Sequence, residues 1–582
     1  MFLATTALDE FWDTSEELFF LGEWCKLFDK KDSLDDLSYK TLPFEWNNSE
    51  KIYEAYTYCN LLYEKVLSNL TDKLNEIHKL DKSIDFYRVI LGNWLVRFIH
   101  QYYDKYISIM NATKYDNLYT YILDQNQYYI PHDIQDYIEK QAFSDLYNLQ
   151  LYSDIIKFTN IKYDIKITKE PIKNKLNIDL NNTLNAKIFV NLSKVFKVIS
   201  KVNIFNKNRL VIVNPYFKYN KFYNIFVLFC KSKFKFIFDD FKYQVSFKNV
   251  VDKDLRKNLS LDLGLQNDFE KILSETIFNH IPTLFLESFN EFRNNVKVLN
   301  IPTMKYYYTA QALHANNIFK FFVAENLKKI SILTHQHGGA YGMDMKLFQE
   351  EYEKSISDTY YTWGWKGDKC KSLPFPNHKS KINQNQDAIL FVMNNSPRYM
   401  YLFQFHAISS FVTGEYLEQA KQFLKTLKTK KIKLRSYPGK GYNTFLSERL
   451  KEENFNITYD DFSKKFDTML AECKLIVADH LTTTWLESLA INKPTVVFSS
   501  KKYTSFRKEV LPYIKKLEEA KILFFTPCAA AKHIDEIENN IDIWWKSNKV
   551  QSARIEFVEK YAYTTDKWID IWVDEFDKVL KD

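Results

Sequence analysis

The chain has 582 residues and a formal net charge of +7, with 46% hydrophobic and 26% charged residues. This composition can bury large cores, which excludes a disordered protein, and at about 150 residues per domain the length predicts two to four domains. The six cysteines are scattered without a Cys-x-x-Cys pair. That spacing argues against a disulfide scaffold or a zinc ribbon and favours a reducing compartment.

Membrane insertion and secretion are not expected. The longest apolar runs, such as residues 225–230, fall far short of the about 20 residues that a membrane-spanning helix requires. The N-terminus reaches an acid at Asp9 and lacks the basic residues that begin a signal peptide. We therefore expect a cytoplasmic protein.

The first predicted elements are two strands and a block of helices. Apolar runs at residues 2–8 and 18–21 end abruptly in polar residues, as buried strands of an α/β sheet do before their loops. Glu23 follows the second run, where a carboxylate can act as base or nucleophile, and a helix cap or an ion pair is an equally good explanation. Residues 49–158 repeat apolar side chains every three or four positions, which predicts amphipathic helices.

A strongly basic segment follows the helices. Residues 181–238 hold eleven basic residues and no acidic one, interleaved with aromatics such as Tyr216 and Phe217. Such a surface attracts anionic lipid head groups, nucleic acid or acidic glycans, and a solvated lysine-rich face is the simpler alternative. Because no recognised nucleic-acid module accompanies the charge, we expect no nucleic-acid partner, and peripheral contact with the inner face of the cytoplasmic membrane instead.

Strands and helices alternate regularly from about residue 280 to the end. This alternation predicts parallel sheets of βαβ units, whose ligands bind at the carboxyl ends of the strands. The first of these strands ends at Glu287, a second candidate carboxylate, for which an ion pair is the alternative. The predicted strands are residues 283–286, 304–309, 329–334, 359–363, 388–393, 432–435, 475–478 and 495–498.

The predicted fold is therefore α/β, with two Rossmann-type domains that face a crevice. The polar, proline-containing residues 371–387 are the predicted linker, and one long amphipathic helix from about residue 554 through Trp568 and Trp572 closes the chain. The predicted units are an N-terminal domain (1–375) with a helical insertion (about 49–158) and the basic segment (about 160–260), a C-terminal domain (376–550), and a helix (551–582) that packs back on the N-terminal domain.

The segment THQHGGAYG at residues 334–342 follows a predicted strand and holds three of the eleven glycines. Glycines there let the backbone turn tightly and a ligand come close, and His335, Gln336 and His337 add donors that can neutralise an anion or move a proton. A helix N-terminal turn with incidental polar residues is the plain alternative. A metal site on His335 and His337 is another, although no second cluster with ligand spacing supports it.

A second polar segment, ADHLTTTWLESLA at residues 478–490, lies between two predicted strands. Thr484 and Glu487 have the spacing of a capping box, which is a purely structural explanation. Hydroxyls at a helix N-terminus above a parallel sheet also form an anion site, and a glutamate one turn later could hold a ribose diol. Arg398 and Arg435 follow two further strands, where an arginine suits a phosphate or a carboxylate, or an ordinary salt bridge.

Several stretches together resemble one family: ATTAL, FLGEWC, YRVILGNWL, HQHGGAYG, TYYTWGW and DHLTTTWLESLAINKPTVVF. They are similar to a family of bacterial surface-glycan transferases with the two-domain GT-B plan. That family is distantly similar to the retaining transferases that add Kdo or other nonulosonic acids from CMP-activated donors in capsule and O-antigen (lipopolysaccharide) assembly. The resemblance covers roughly residues 1–30, 85–100 and 280–580.

The resemblance implies a metal-independent glycosyltransferase without a cofactor. It implies transfer of a nonulosonic acid of the Kdo, pseudaminic or legionaminic type from a CMP donor to a bacterial surface glycan, glycolipid or glycoprotein. The implied donor-binding residues are Ser396, Arg398, Arg435, Tyr437, His480, Thr482, Thr483, Thr484 and Glu487. The implied catalytic residues are His337, Gln336, Glu23 and Glu287, and the implied sugar- or acceptor-binding residues are His335, Gly338, Gly339, Tyr341, Arg88 and Trp94.

Other functions stay open on the sequence. A UDP- or GDP-sugar fits the motifs as well as a CMP-sugar, and neither the nucleophile nor the stereochemistry is identified. A metal-dependent hydrolase built on His335 and His337 is a more distant alternative. A non-catalytic membrane- or nucleic-acid-binding protein built on residues 181–238 is another, but the polar clusters lie at the predicted sheet ends rather than in the basic segment.

Overall fold

The computed structural model contains three parallel β-sheets with helices packed around them. It describes residues 1–172, 208–217, 221–264, 267–301, 303–376, 388–404, 412–429, 431–437, 442 and 444–581. Every strand pair within these residues is parallel, which confirms the predicted α/β class. Most of the basic segment, residues 181–207 and 218–220, lies outside the described residues.

Each sheet is built from one stretch of the chain. The first contains β1 (Phe2–Ala4), β2 (Leu18–Phe20), β3 (Tyr39–Thr41), β4 (Tyr119–Leu123) and β5 (Lys162–Lys166). The second contains β6 (Leu210–Val213), β7 (Phe236–Phe238), β8 (Tyr306–Thr309), β9 (Ser331–His335), β10 (Thr359–Thr362) and β11 (Cys370–Ser372). The third contains β12 (Ile389–Met393), β13 (Ile432–Ser436), β14 (Thr458–Tyr459), β15 (Leu475–Ala478), β16 (Thr495–Phe498) and β17 (Leu523–Phe524).

The strand orders put a topological switch point in every sheet. They are β3-β2-β1-β4-β5, β11-β10-β9-β8-β6-β7 and β14-β13-β12-β15-β16-β17. The third is the Rossmann order, with its switch between β12 and β15, where the flanking connections turn to opposite faces and leave a crevice for a ligand. Residues 1–375 thus carry two sheets, although the sequence pattern separated only one α/β unit there.

The helices lie between the strands and at the C-terminus. The first group is α1 (Ser49–His78), α2 (Ile84–Ala112), α3 (Ile134–Phe143) and α4 (Asp145–Ile156). The second is α5 (Lys221–Lys231), α6 (Lys253–Lys257), α7 (Asp268–Thr276), α8 (Phe289–Lys297), α9 (Ala312–Ala315), α10 (Asn317–Asn326) and α11 (Phe348–Ser355). The third is α12 (Leu417–Thr426), α13 (Leu446–Lys451), α14 (Phe466–Glu472), α15 (Thr483–Ala490), α16 (Leu511–Glu519), α17 (Pro527–Ile537), α18 (Ile541–Trp545), α19 (Asn548–Tyr561) and α20 (Trp568–Val579).

The long helices α1 and α2 form the centre of the predicted helical block. Asn48 and Ser83 start them by accepting hydrogen bonds from the backbone N–H groups of Lys51 and Phe86, as N-cap residues do. α2 packs against α1, α4 and α10, so its side chains are buried on nearly all sides. None of the helices in the described part of the chain is long and apolar enough to cross a membrane.

Three predicted elements differ in the structure. Residues 283–286 form a 3₁₀ turn (Thr283–Phe285) after Pro282 rather than a strand, because so short an apolar run fits a buried turn equally well. The helical block also contains β4, whose alternating Tyr and Thr residues suit a strand. The single C-terminal helix is wrong: α19 and α20 are separated at residues 562–567, where two threonines and an aspartate form helices poorly.

The C-terminal helices contact two different sheets. α19 packs on α15 and α16 beside the third sheet, whereas Trp568, Trp572 and Phe576 of α20 are buried against the second. The start of the predicted linker is also structured, since β11 lies there and Trp572 Nε1 donates to the carbonyl of Pro374 at 2.9 Å. The rest of that linker, residues 377–387, falls outside the described residues.

Candidate functional site

A cleft of about 610 Å³ opens between loops at the carboxyl ends of the second and third sheets. The loop after β9 supplies one wall, and segments after β12, β13 and β15 supply the other. Much of the predicted site meets here. The predicted residues that line the cleft are His337, Gly338, Gly339, Tyr341, Arg435, Tyr437, His480, Thr482, Thr483, Thr484 and Glu487.

The loop after β9 is held in one conformation against the third sheet. The backbone N–H of Gly339 donates to Thr483 Oγ1 at 2.9 Å, and that of Gly342 donates to Glu350 Oε2 at 2.7 Å. Between them Ala340 has a φ of 69°, in the left-handed region that residues with a Cβ rarely adopt. Such strain persists only where surrounding contacts determine the backbone, and it is common at ligand sites.

The wall from the third sheet presents the N-terminus of α15. The helix begins at Thr483, one residue earlier than predicted, and its N-cap residue Thr482 makes no side-chain hydrogen bond to the first turn. The predicted capping box of Thr484 and Glu487 is therefore not formed, since Thr484 lies inside the helix. First-turn N–H groups without a side-chain cap, together with the helix dipole, favour an anion at this end of the cleft.

Two further polar groups flank this helix end. His480 Nδ1 lies 2.8 Å from Oδ1 of the buried Asp479, which also accepts from the N–H of Asn394 at 3.2 Å, so the imidazole is fixed at the switch point. Arg435 pairs with Asp460 at 2.6 Å while its side chain lines the cleft. The third-sheet wall is thus a polar surface suited to a phosphate.

His337 lies on the opposite wall in a buried cluster of three chain segments. His314 Nε2, from α9, is 2.7 Å from Glu353 Oε1 of α11, and His337 Nδ1 is 3.4 Å from the same oxygen. The hydroxyls of Tyr341 and Tyr360 donate to the two carboxylate oxygens at 3.0 and 2.9 Å. The cleft-side imidazole is therefore backed by a carboxylate that three other side chains, His314, Tyr341 and Tyr360, hold in place.

Burial dominates the protonation of this cluster. It raises the pKa of Glu353 to about 7, because ionising a carboxyl away from water is costly. It lowers the pKa of His337 to about 4 and that of His314 to about 3, since burial disfavours the imidazolium. Both imidazoles are therefore neutral at pH 7, while Glu353 is close to its midpoint.

The same three side chains are also of the types that bind a metal ion. Their nitrogen and oxygen atoms all lie within 4.8 Å of one another. The 2.7 Å between His314 and Glu353 is a hydrogen-bond distance, whereas two ligands of one tetrahedral zinc ion, each about 2.0–2.1 Å from it, lie about 3.3 Å apart. The geometry favours a hydrogen-bonded cluster, and His335 of the predicted histidine pair does not belong to it.

Two residues of the HQHGG segment face away from the cleft. His335 Nδ1 is 2.7 Å from the hydroxyl of Tyr308, and the buried imidazole packs on Trp572. The Gln336 Oε1 accepts from Trp363 N–H and Trp365 Nε1 at 3.0 and 2.9 Å. Their predicted sugar-binding and catalytic roles are thus replaced by roles in the fold.

The predicted phosphate contact of Arg398 is also wrong. Its guanidinium is buried and pairs with Asp145 at 2.5 Å, and it donates to the carbonyl of Trp24. The bond joins the third sheet's first loop to the N-terminus of α4, so the arginine connects two units of the protein. Ser396, two residues earlier, is buried and does not line the cleft.

The four remaining predicted residues lie apart from His337. Glu287 forms a two-point ion pair with Arg256, with both distances 2.6 Å. Arg88 pairs in the same way with Glu64, and Trp94 is fully buried in the core against Phe98. Glu23 lines a separate cavity of about 510 Å³.

One family profile, described as LIC12162 family transferase, matches residues 1–576 of the chain. The protein belongs to the LIC12162 family of transferases. No curated protein matches this family member. Among solved structures, MurG of Acinetobacter baumannii is 11% identical, covering 64% of this chain and 99% of its own, with a TM-score of 0.31. The spinosyn rhamnosyltransferase SpnG is 10% identical, covering 64% of this chain and 100% of its own, with a TM-score of 0.29. The spinosyn forosaminyltransferase SpnP is 7% identical, covering 64% of this chain and 99% of its own, with a TM-score of 0.31.

The LIC12162-family transferase also has cleft residues that the sequence did not assign to the site. Tyr216, from the basic segment, reaches the cleft, where burial and the charge of Glu487 raise its pKa to about 12. His314 and Glu353 lie in ordinary helical patterns, and only the fold shows that they meet His337. The other unpredicted lining residues include Gln349, Tyr401, Gln404 and Phe466.

Proposed function

We propose that this transferase moves a sugar from a nucleotide-activated donor to a glycan acceptor, and that the cleft holds the donor. One observation carries the proposal: the α15 N-terminus, without a side-chain cap, faces the imidazole of His337 across the same cleft. A nucleotide phosphate needs positive charge and N–H donors, and the reacting sugar needs a group that handles a proton. The two walls offer these two chemistries.

The departing phosphate would be stabilised without a metal ion. First-turn N–H groups of α15, the hydroxyls of Thr482, Thr483 and Thr484, and Arg435 surround the place where its charge develops. Preorganised donors of this kind stabilise a leaving group strongly in a cleft with little water. Glu487, one turn into α15 and buried at the cleft wall, is placed to accept hydrogen bonds from a ribose diol.

We propose a CMP-linked nonulosonic acid as the donor, used without a cofactor in capsule or lipopolysaccharide assembly. The support is the resemblance of the sequence motifs to transferases of such sugars. A UDP- or GDP-sugar is the alternative, because none of the described cleft residues distinguishes one nucleotide base from another.

The acceptor side lies on the N-terminal half. We propose that the acceptor is a glycan, glycolipid or glycoprotein, and that the basic segment 181–238 brings the protein to the inner face of the cytoplasmic membrane. The cavity lined by Glu23, Trp24, Phe44 and Trp46 offers aromatic faces and a carboxylate, which suit a sugar. It lies at the carboxyl ends of β2 and β3.

The test measures how fast the protein releases the nucleotide from four activated sugars, each with and without EDTA. They are CMP-N-acetylneuraminic acid, CMP-Kdo, UDP-N-acetylglucosamine and GDP-mannose. The proposal expects release from one nucleotide class that EDTA leaves unchanged. Release from the UDP- or GDP-sugar alone would keep the transfer reaction and replace the donor. No release from any of them would contradict the proposal, and loss of activity in EDTA would contradict its metal independence.

A further inference from the structure

Glu353 has no role in the function described so far, yet it is the centre of the His337 cluster. Its side chain is 2% exposed, and no lysine or arginine pairs with it among the residues that the structure describes. Burying a carboxylate without a cationic partner costs folding free energy, and such groups are found mainly at functional sites.

The contacts restrain the imidazole of His337 from behind. Glu353 Oε1 lies 3.4 Å from Nδ1, and Tyr341, which bonds to the same oxygen, has its hydroxyl 3.5 Å from Nε2. His314 is close to the oxygen at 2.7 Å and stands edge-on to the His337 ring, with centroids 5.1 Å apart. The ring therefore has little freedom to rotate away from the cleft.

We infer that Glu353, supported by His314, is a positioning residue that orients His337 and stabilises the imidazolium formed during sugar transfer. This inference rests on the proposed function. The step inverts the anomeric configuration, unlike that of the retaining transferases that the sequence motifs resemble. In it, His337 takes the proton of the acceptor hydroxyl, or of water when no acceptor is present, while that oxygen bonds to the anomeric carbon. The bond from that carbon to the phosphate oxygen breaks, and the nucleotide leaves with its electron pair. The new positive charge on His337 lies beside the Glu353 carboxylate.

The inference has a pH signature, because only the ionised carboxylate stabilises an imidazolium. Burial raises the pKa of Glu353 to about 7, so its ionised form is gained as the pH rises through that value. Turnover should rise over the same range. The titratable and charged groups that act on the cluster are Tyr216, Tyr341, Glu350, Tyr360, Arg97 and Lys320.

The test compares Glu353→Gln with the wild type in nucleotide release from the four activated sugars named above. General-base catalysis is worth about 10²–10⁴-fold, so we expect turnover to fall by at least about 100-fold. The rise through pH 7 should disappear, while the thermal shift produced by the free nucleotide stays. Glu353→Asp, which keeps the charge, should recover part of the turnover. His314→Gln should have a smaller effect in the same direction.

The matched control is Glu351→Gln, on the same helix, whose carboxylate contacts Asn60 and lines a different cavity. It should keep wild-type turnover and pH dependence. Wild-type behaviour of Glu353→Gln would overturn the inference, as would loss of the nucleotide shift, which would make Glu353 a structural residue. A stoichiometric metal ion that Glu353→Gln fails to bind would overturn it too. If the wild-type protein releases no nucleotide, the proposed function itself is contradicted, and with it the positioning role of Glu353.

Discussion

The backbone N–H of Gly339 donates to the hydroxyl of Thr483 at 2.9 Å, joining the loop after β9 to the helix end opposite. The two backbone segments approach so closely that a Cβ on Gly339 would lie 2.5 Å from the carbonyl carbon of Thr482 and 2.6 Å from the nitrogen of Thr483. The backbone of one sheet's loop is therefore in contact with the backbone of the other sheet's helix. This contact sets the width of the cleft at its polar end.

Gly339→Ala should consequently push the two walls apart. We expect a lower melting temperature and a weaker thermal shift with nucleotide, because the Cβ meets backbone atoms that cannot rotate away. Gly338→Ala is the matched control, since its Cβ would meet nothing nearer than a ring carbon of Tyr341 at 3.5 Å. Equal behaviour of the two variants would show that the contact does not shape the cleft.

Thr483→Ala and Glu487→Ala test the donor site directly. Each should weaken nucleotide binding about tenfold, equivalent to about 1.4 kcal/mol, while circular dichroism shows an intact fold. Thr483→Ala also leaves the Gly339 N–H without its acceptor. Thr426→Ala, at a half-buried threonine of α12 that lies outside the cleft, is the control. Wild-type affinity in both test variants would remove the donor-site assignment.

His337→Ala and His335→Ala should separate chemistry from folding. The first should reduce turnover by about 10²–10⁴-fold with nucleotide binding largely kept, because His337 lines the cleft. The second should lower the melting temperature, since it leaves the buried Tyr308 hydroxyl without its 2.7 Å partner. Turnover assays and melting curves on both variants check this. Unchanged turnover in His337→Ala would exclude that residue from the reaction.

Arg398→Ala should affect stability and spare nucleotide binding. Removing one partner of a buried ion pair leaves the other charge uncompensated and typically costs about 3–5 kcal/mol. Among the described residues, Asp145 would then keep the hydroxyl of Tyr399, at 2.5 Å, and the N–H of Ala7 as partners. Chemical denaturation measures the loss. A variant that is as stable as the wild type but no longer binds nucleotide would show that Arg398 is a donor-binding residue.

Local sequence patterns predicted most of the sheet architecture. The strands at residues 475–478 and 495–498 have their predicted bounds, because continuous β-branched runs bounded by polar residues leave few alternatives. The apolar run at residues 283–286 is too short to distinguish a strand from a turn, and it forms a 3₁₀ turn. The first sheet was harder still, since its strands are short and two long helices separate β3 from β4.

The candidate site was predictable where polar residues directly follow strands. His337 follows a strand of the second sheet, whereas Thr483 and Glu487 follow a strand of the third. They meet because the carboxyl ends of both sheets border the same cleft. Arg398 follows a strand too, yet it turns to Asp145, a partner more than 250 positions away that no local pattern identifies. Glu353 escaped prediction for the same reason, since only the fold brings α11 behind the loop after β9.

The most direct test of the account is a thermal-shift panel with CMP, CDP, UDP, GDP and ADP, each with and without EDTA. A ligand that binds only the native state adds about 2.7 kcal/mol of stability at 100 times its Kd, enough to move the melting temperature by about 2–4 °C or more. We predict a selective shift with CMP that EDTA leaves unchanged and that Glu487→Ala, with its about tenfold weaker binding, reduces to about half. No shift with any nucleotide, or an equal shift in Glu487→Ala, would contradict it.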